Sequence, residues 1–92
     1  MWLFEFEMLL ISNMNIENTE QLGMAIRLKR RQLRVTQKEL AMTCGTGARF
    51  IIDLESGKKT CHVGKMLAVI QSLGIKLEID VTDVEDERSS KL

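Results

Sequence analysis

Residues 36 to 57 read TQKELAMTCGTGARFIIDLESG, and this stretch decides the fold. Thr36 and Glu39 stand at the spacing of a capping box, in which each residue's side chain satisfies the other's backbone N–H at a helix start. Leu40 and Ala41 follow as the inward face of that helix. Gly45 supplies the backbone freedom that a sharp turn needs. Phe50, Ile51 and Leu54 fall at i, i+1 and i+4, marking the buried side of a second helix, and Gly57 ends it. Two helices joined by so short a turn cannot run antiparallel and must cross steeply. That unit is suited to laying its second helix in a major groove of DNA.

The flanks extend the pattern. Thr19 is expected to cap a first helix running from about 20 to 33. Leu22, Ala25, Ile26 and Leu33, with Leu28 at the margin, form its apolar stripe, while Arg27, Arg30, Arg31 and Arg34 project elsewhere. Gly23 in its first turn points to close packing against a neighbouring helix. The next helices are expected at about 36–42 and 48–56. A fourth, at about 63–73, has apolar positions Val63, Met66, Leu67, Val69, Ile70 and Leu73 and is closed by Gly74. The chain has no proline to interrupt any of them.

After Gly74 the period changes from 3.6 to 2. Ile75, Leu77, Ile79 and Val81 alternate with Lys76, Glu78 and Asp80, the pattern of one amphipathic strand. A lone strand leaves its backbone groups unpaired. The expected partner is its own copy in a second subunit, with pairing to residues 2–8 of the same chain as the alternative. The fold class is therefore mainly α, a bundle of four to five helices with one C-terminal β-strand pairing across a dimer. Residues 19–74 form the helix-turn-helix domain, 75–81 the dimerisation strand and 82–92 a disordered acidic tail. Residues 1–18 are either a hydrophobic arm or an over-long gene start, with Met14 as an alternative initiator.

Ninety-two residues at 45% apolar composition make one domain with a small core. Trp2, Phe4 and Phe6 lie outside the helical region, so its core is built from Leu, Ile, Val, Met and Ala. The opening WLFEFEMLLI is too short for a membrane span and carries Glu5 and Glu7; it also lacks the flanks of a signal peptide. Cys44 and Cys61 match no zinc spacing, and His62 is the one histidine. The cysteines read as small, partly buried thiols of a reducing cytoplasm, and no metal or cofactor is called for. Nothing in the chain assembles a catalytic constellation.

Zero net charge conceals an asymmetry. Leu22 to Lys76 holds eleven basic residues and three acids, Glu39, Asp53 and Glu55, a surplus of eight positive charges. The compensating acid lies toward the two ends. A body of this kind suits a polyanion.

The segments LGMAIRLKRRQLRVTQKELA and CGTGARFIIDLESGKKT, followed by a helix and LGIKLEI, resemble the Xre/Cro group of helix-turn-helix proteins. Within it they are most similar to the HipB-type antitoxins. The resemblance covers about 22–81 and implies a lambda-repressor-like bundle, a homodimer, double-stranded operator DNA and a cytoplasmic, nucleoid-associated location. It also implies a HipA-type serine/threonine kinase toxin as partner. The function so implied is a sequence-specific repressor that acts as antitoxin and regulates its own operon. The alternatives are a phage-type or chromosomal regulator without a toxin, or a protein-interaction adaptor with weakened DNA binding.

Gln37, just after the Thr36 cap, would face the DNA backbone from a positive helix N-terminus, and in the family this glutamine also buttresses the recognition helix. Arg49 carries a planar fork that matches the two acceptors of a guanine edge, or a phosphate. Thr46 offers a hydroxyl and Gly47 a backbone N–H to phosphate. Ala48 and Ile52 offer methyl groups to thymine, with a protein neighbour as the other reading of Ile52. Asp53 repels phosphate but accepts from a cytosine amino group. With so few polar contacts, DNA shape is expected to carry part of the specificity. Arg34, Lys38, Lys58, Lys59 and Lys65 are candidate phosphate contacts. The resemblance also implies that Arg30 and Glu55 face each other as a structural ion pair that pins the recognition helix.

Overall fold

The structure, a computed structural model, describes residues 15–81. These form four helices: α1 (Thr19–Gln32), α2 (Gln37–Cys44), α3 (Ala48–Ser56) and α4 (Val63–Ser72). The hydrophobic arm or over-long start expected of residues 1–18, as far as residue 14, the alternative strand partner at residues 2–8 and the acidic tail expected of residues 82–92 lie outside the described residues.

Each helix begins where a polar group meets its first turn, except α3. The capping box at α2 is complete: Glu39 N–H donates to Thr36 Oγ1 at 3.0 Å and Thr36 N–H to Glu39 Oε1 at 2.9 Å. At α1 the cap is Asn18 and not Thr19. Asn18 Oδ1 accepts from Gln21 N–H at 2.8 Å, which starts the helix one residue earlier. Thr19 is thereby released for another task, and its hydroxyl donates to the carbonyl of Gly57 at 2.7 Å. His62 caps α4, its Nδ1 accepting from Lys65 N–H at 3.2 Å.

All four helices end alike. In each, two successive N–H groups beyond the last turn reach back to carbonyls three and five residues earlier. The first residue of each pair has positive φ: Gly45, Gly57 and Gly74 after α2, α3 and α4, but Arg34, at 61°, after α1. The chain thus turns sharply at every junction.

Ile26, Leu40, Ala41, Ile51, Leu54, Val69, Ile70 and Leu73 form the core, none more than 3% exposed. Leu22, Phe50, Met66 and Ile75 pack around them. Leu33, expected in the α1 stripe, is exposed, because α1 stops at Gln32 and drops that position from the buried face. Val63 and Leu67 are likewise exposed. A ten-residue helix buries one stripe, here Met66, Val69, Ile70 and Leu73, and Leu67 falls beside it while Val63 lies at its open end. The close approach expected at Gly23 is present: a Cβ there would lie 2.6 Å from the Leu54 carbonyl oxygen.

Residues 75–81 form no strand in the single chain. A ladder needs a second strand, and no described residue supplies one. Ile75, expected on the pairing surface, is instead half-buried against the core, with its N–H donating to Ile70. Leu77, Ile79 and Val81 are exposed by 54%, 78% and 59%, an apolar row without cover from the described chain.

Candidate nucleic-acid interface

α3 is held from beneath by charge and hydrogen bonds. Arg30 of α1 grips Glu55 with both faces of its fork, Nε to Oε2 at 2.6 Å and Nη2 to Oε1 at 3.1 Å. Its Nη1 donates to the carbonyl of Val35 at 2.8 Å. The Arg30 and Glu55 side chains are only 11% and 4% exposed, so the pair works largely out of water. Gln37 joins them, its Nε2 donating to Glu55 Oε1 at 3.0 Å. One carboxylate therefore links α1, the start of α2 and the end of α3. This is the buttress expected of Gln37; its amide nitrogen is spent on the protein.

The other side of α3 faces outward. Ala48, Arg49 and Ile52 are exposed and Asp53 is half-buried. Arg49 is the most prominent, its side chain 81% exposed, with Nε 3.3 Å from Asp53 Oδ1. Lys58 Nζ approaches the other Asp53 oxygen at 3.6 Å. Gly47 is the N-cap residue of α3 and, having no side chain, gives no cap bond. In the first turn of α3 the Phe50 N–H donates to the Gly47 carbonyl at 3.1 Å, and no side chain caps the N–H groups ahead of it. Thr46 is half-buried and its hydroxyl turns to the carbonyl of Gly47 at 3.2 Å.

Lys38 and Lys59 are exposed, as is Arg34. Lys65 sits with Nζ 5.9 Å from the centre of the Phe50 ring, so this cation is shared with a protein contact. The structure thus gathers Thr46, Gly47, Ala48, Arg49, Ile52, Asp53 and Lys58 around α3, and assigns Gln37, Arg30 and Glu55 to its support. Sequence reasoning missed the Thr19 link to Gly57 and the sharing of Asp53 between two cations. The i, i+4 spacing of Arg49 and Asp53 was the available signal for the second.

Cys44 and Cys61 are free thiols, each half-buried. Among the described residues no group of three or more His, Cys, Asp or Glu could hold a metal ion, and no helix is long and apolar enough to cross a membrane.

A short helix exposed along one side, supported by a second helix across a glycine turn, defines a helix-turn-helix DNA-binding regulator. The chain is 42% identical over 64 residues to the uncharacterized HTH-type transcriptional regulator y4mF of Sinorhizobium fredii (strain NBRC 101917 / NGR234), spanning 70% of this chain and 84% of that one. It superposes with a TM-score of 0.68 on a chain of the HipA-HipB-O2-O3 complex, at 28% identity, covering 75% of this chain and 97% of that chain. A chain of a HipB-O4 20mer complex matches with the same TM-score of 0.68 at 26% identity, covering 74% of this chain and 96% of that one. No family model matches the chain. The chain belongs to the Xre/Cro-type helix-turn-helix transcriptional regulators and is similar to their HipB-like members.

Proposed function

We propose that this protein is a sequence-specific repressor that binds operator DNA as a homodimer in the cytoplasm, where the nucleoid lies. It has no enzymatic role; it is the antitoxin of a HipA-type serine/threonine kinase and regulates its own operon. The observation that carries the DNA reading is the outward side of α3, with Arg49 extended from a helix whose far side is fixed by the Arg30–Glu55–Gln37 cluster. A rigid helix with one long planar cation is suited to a guanine edge, and such a pair contributes ~1–3 kcal/mol of discrimination. Two copies of α3 on a two-fold axis would enter successive major grooves ~34 Å apart. The exposed row Leu77, Ile79 and Val81 supplies the surface across which the second copy pairs. The kinase partner is inferred from the similarity to a chain of a HipA–HipB complex.

The test is titration of the full chain with duplexes from its own upstream region at two salt concentrations. Sequence-preferring, strongly salt-dependent binding is expected, and binding without either refutes the reading. Arg49→Ala should reduce binding to the preferred duplex by tenfold or more, since about 1.4 kcal/mol corresponds to a factor of ten. Co-expression with a HipA-like kinase from a neighbouring reading frame tests the antitoxin role, which predicts a stable complex and relief of toxicity.

A second reading has its own observation. Gly47, Ala48 and Ile52 place no polar side-chain atom on the exposed side of α3, and Ile52 is 39% exposed. That favours an adaptor with weakened DNA binding. Arg49→Ala separates the two, because an adaptor would keep its partner and show no loss of DNA affinity.

A further inference from the structure

Asp53 carries the acidic charge on the outward side of α3, and each of its carboxylate oxygens faces a different cation. Oδ1 lies 3.3 Å from Arg49 Nε and Oδ2 lies 3.6 Å from Lys58 Nζ. Lys58 is held a second time, its N–H donating to the main-chain carbonyl of Asp53 at 3.1 Å. The side chain of Asp53 is 21% exposed against 81% for Arg49 and 52% for Lys58, so the acid is seated and the cations are movable. Ion pairs this exposed do little for stability. Their effect is on where the two cations point.

We propose that Asp53 is a positioning residue that sets specificity: it holds Arg49 for a base edge and opposes the capture of Arg49 and Lys58 by phosphate. This rests on the reading of α3 as the helix that meets DNA. Non-specific binding comes from neutralising phosphates. To reach a phosphate, Lys58 must turn its Nζ away from Asp53, and a phosphate that approaches the terminal nitrogens of Arg49 is repelled by the Asp53 carboxylate beside its Nε. At a guanine, Arg49 presents its terminal nitrogens to O6 and N7 while Nε stays beside Asp53. The clamp therefore weakens binding to arbitrary sequence more than binding to the preferred site. Asp53 touches no base in this account and acts through its two neighbours.

The experiment begins by enriching a duplex from a randomised library with the full-length wild-type chain. Affinities of wild type, Asp53→Asn and Asp53→Glu are then measured for that duplex and for a scrambled duplex of equal composition, at two salt concentrations. For Asp53→Asn, affinity for the scrambled duplex should rise about tenfold and its salt slope steepen by about one to two, as one or two more cations become available to phosphate. Affinity for the enriched duplex should change about threefold or less, so the specificity ratio falls. Asp53→Glu, which keeps the charge, should restore most of the ratio. Helical content and thermal midpoint should be alike in all three.

If wild type selects a duplex and Asp53→Asn keeps its ratio at both salts, the role of Asp53 is overturned and the DNA reading stands. If Asp53→Asn loses affinity for the enriched duplex alone, Asp53 is a base contact and the positioning role is again overturned. If wild type enriches nothing, both fall together.

Discussion

Gly23 of α1 lies against the main-chain carbonyl of Glu55 in α3, so close that a Cβ on Gly23 would stand 2.5 Å from that oxygen. The side chain of the same Glu55 is gripped by Arg30, seven residues further along α1. A third link joins Thr19 at the start of α1 to the Gly57 carbonyl that follows α3. The C-terminal half of α3 is therefore docked on α1 through backbone, charge and hydroxyl contacts, while Ala48, Arg49 and Ile52 stay exposed along its outward side.

Gly23→Ala should accordingly destabilise the protein although alanine is the better helix former. The intrinsic gain is ~1 kcal/mol. Against it, the methyl group would overlap two backbone carbonyls that have no flexible side chain to move aside. Overpacking of this kind costs about 1–3 kcal/mol, more where backbone must shift. The expected net result is a lower urea midpoint and weaker DNA binding, because separating α1 from α3 also strains the Arg30–Glu55 pair. An unchanged midpoint would show that α1 and α3 slide apart without cost.

Glu55→Ala removes the carboxylate on which Arg30 and Gln37 both converge. It leaves a guanidinium with 11% exposure without its ion-pair partner, at a cost of about 3–5 kcal/mol. The double change Arg30→Met with Glu55→Leu removes both charges at similar volume and should recover most of that loss. Denaturant unfolding of the singles and the double checks this. Recovered stability without recovered DNA affinity is the expected pattern, since an apolar contact does not fix the orientation of α3 as a bidentate pair does.

The helices were legible in the sequence because their signals are local. The Thr36–Glu39 box, the glycine after each of α2, α3 and α4, and the apolar spacing of Ile51 and Leu54 are read from a few adjacent residues. The Arg30–Glu55 contact spans 25 residues and was available only through resemblance to a fold, not from spacing. The cap at Asn18 was missed because Thr19 is also a good cap, and the choice was made by Gly57, 38 residues away. The period-2 run from Ile75 is real as a pattern, but a strand is a property of two segments. Among the described residues no second segment pairs with it, and residues 75–81 form no strand.

Gly47, the N-cap residue of α3, has φ of −84°, gives no side-chain cap bond and lies in open space where an added Cβ meets nothing within 4 Å. Gly47→Ser should therefore supply the missing bond without clash. The gain over glycine is modest, about a few tenths of a kcal/mol. A small rise in thermal midpoint is expected, together with tighter binding to the preferred duplex if the new hydroxyl also reaches a phosphate. Calorimetry and a DNA titration read the two effects separately. A fall in midpoint would mean that the start of α3 is held in its conformation by something other than capping.

Arg34 offers the sharpest separation of stability from binding. It occupies after α1 the left-handed position that Gly45, Gly57 and Gly74 hold after the other helices, with φ of 61°. The position is enforced, since Arg34 N–H donates to Arg31 at 3.0 Å and Val35 N–H to Arg30 at 3.2 Å. A side chain in this region costs ~1–2 kcal/mol. Arg34→Gly relieves that strain but enlarges the freedom of the unfolded chain, by ~0.4–1 kcal/mol. The expected net gain is about 0.5–1 kcal/mol in the native state. If the exposed guanidinium of Arg34 also neutralises a phosphate, the same change lowers DNA affinity and reduces the salt slope by about 0.9. Arg34→Lys keeps both the strain and the charge and should leave both quantities unchanged. A glycine variant that gains stability with an unaltered salt slope would assign Arg34 to the end of α1 alone and remove it from the DNA contacts.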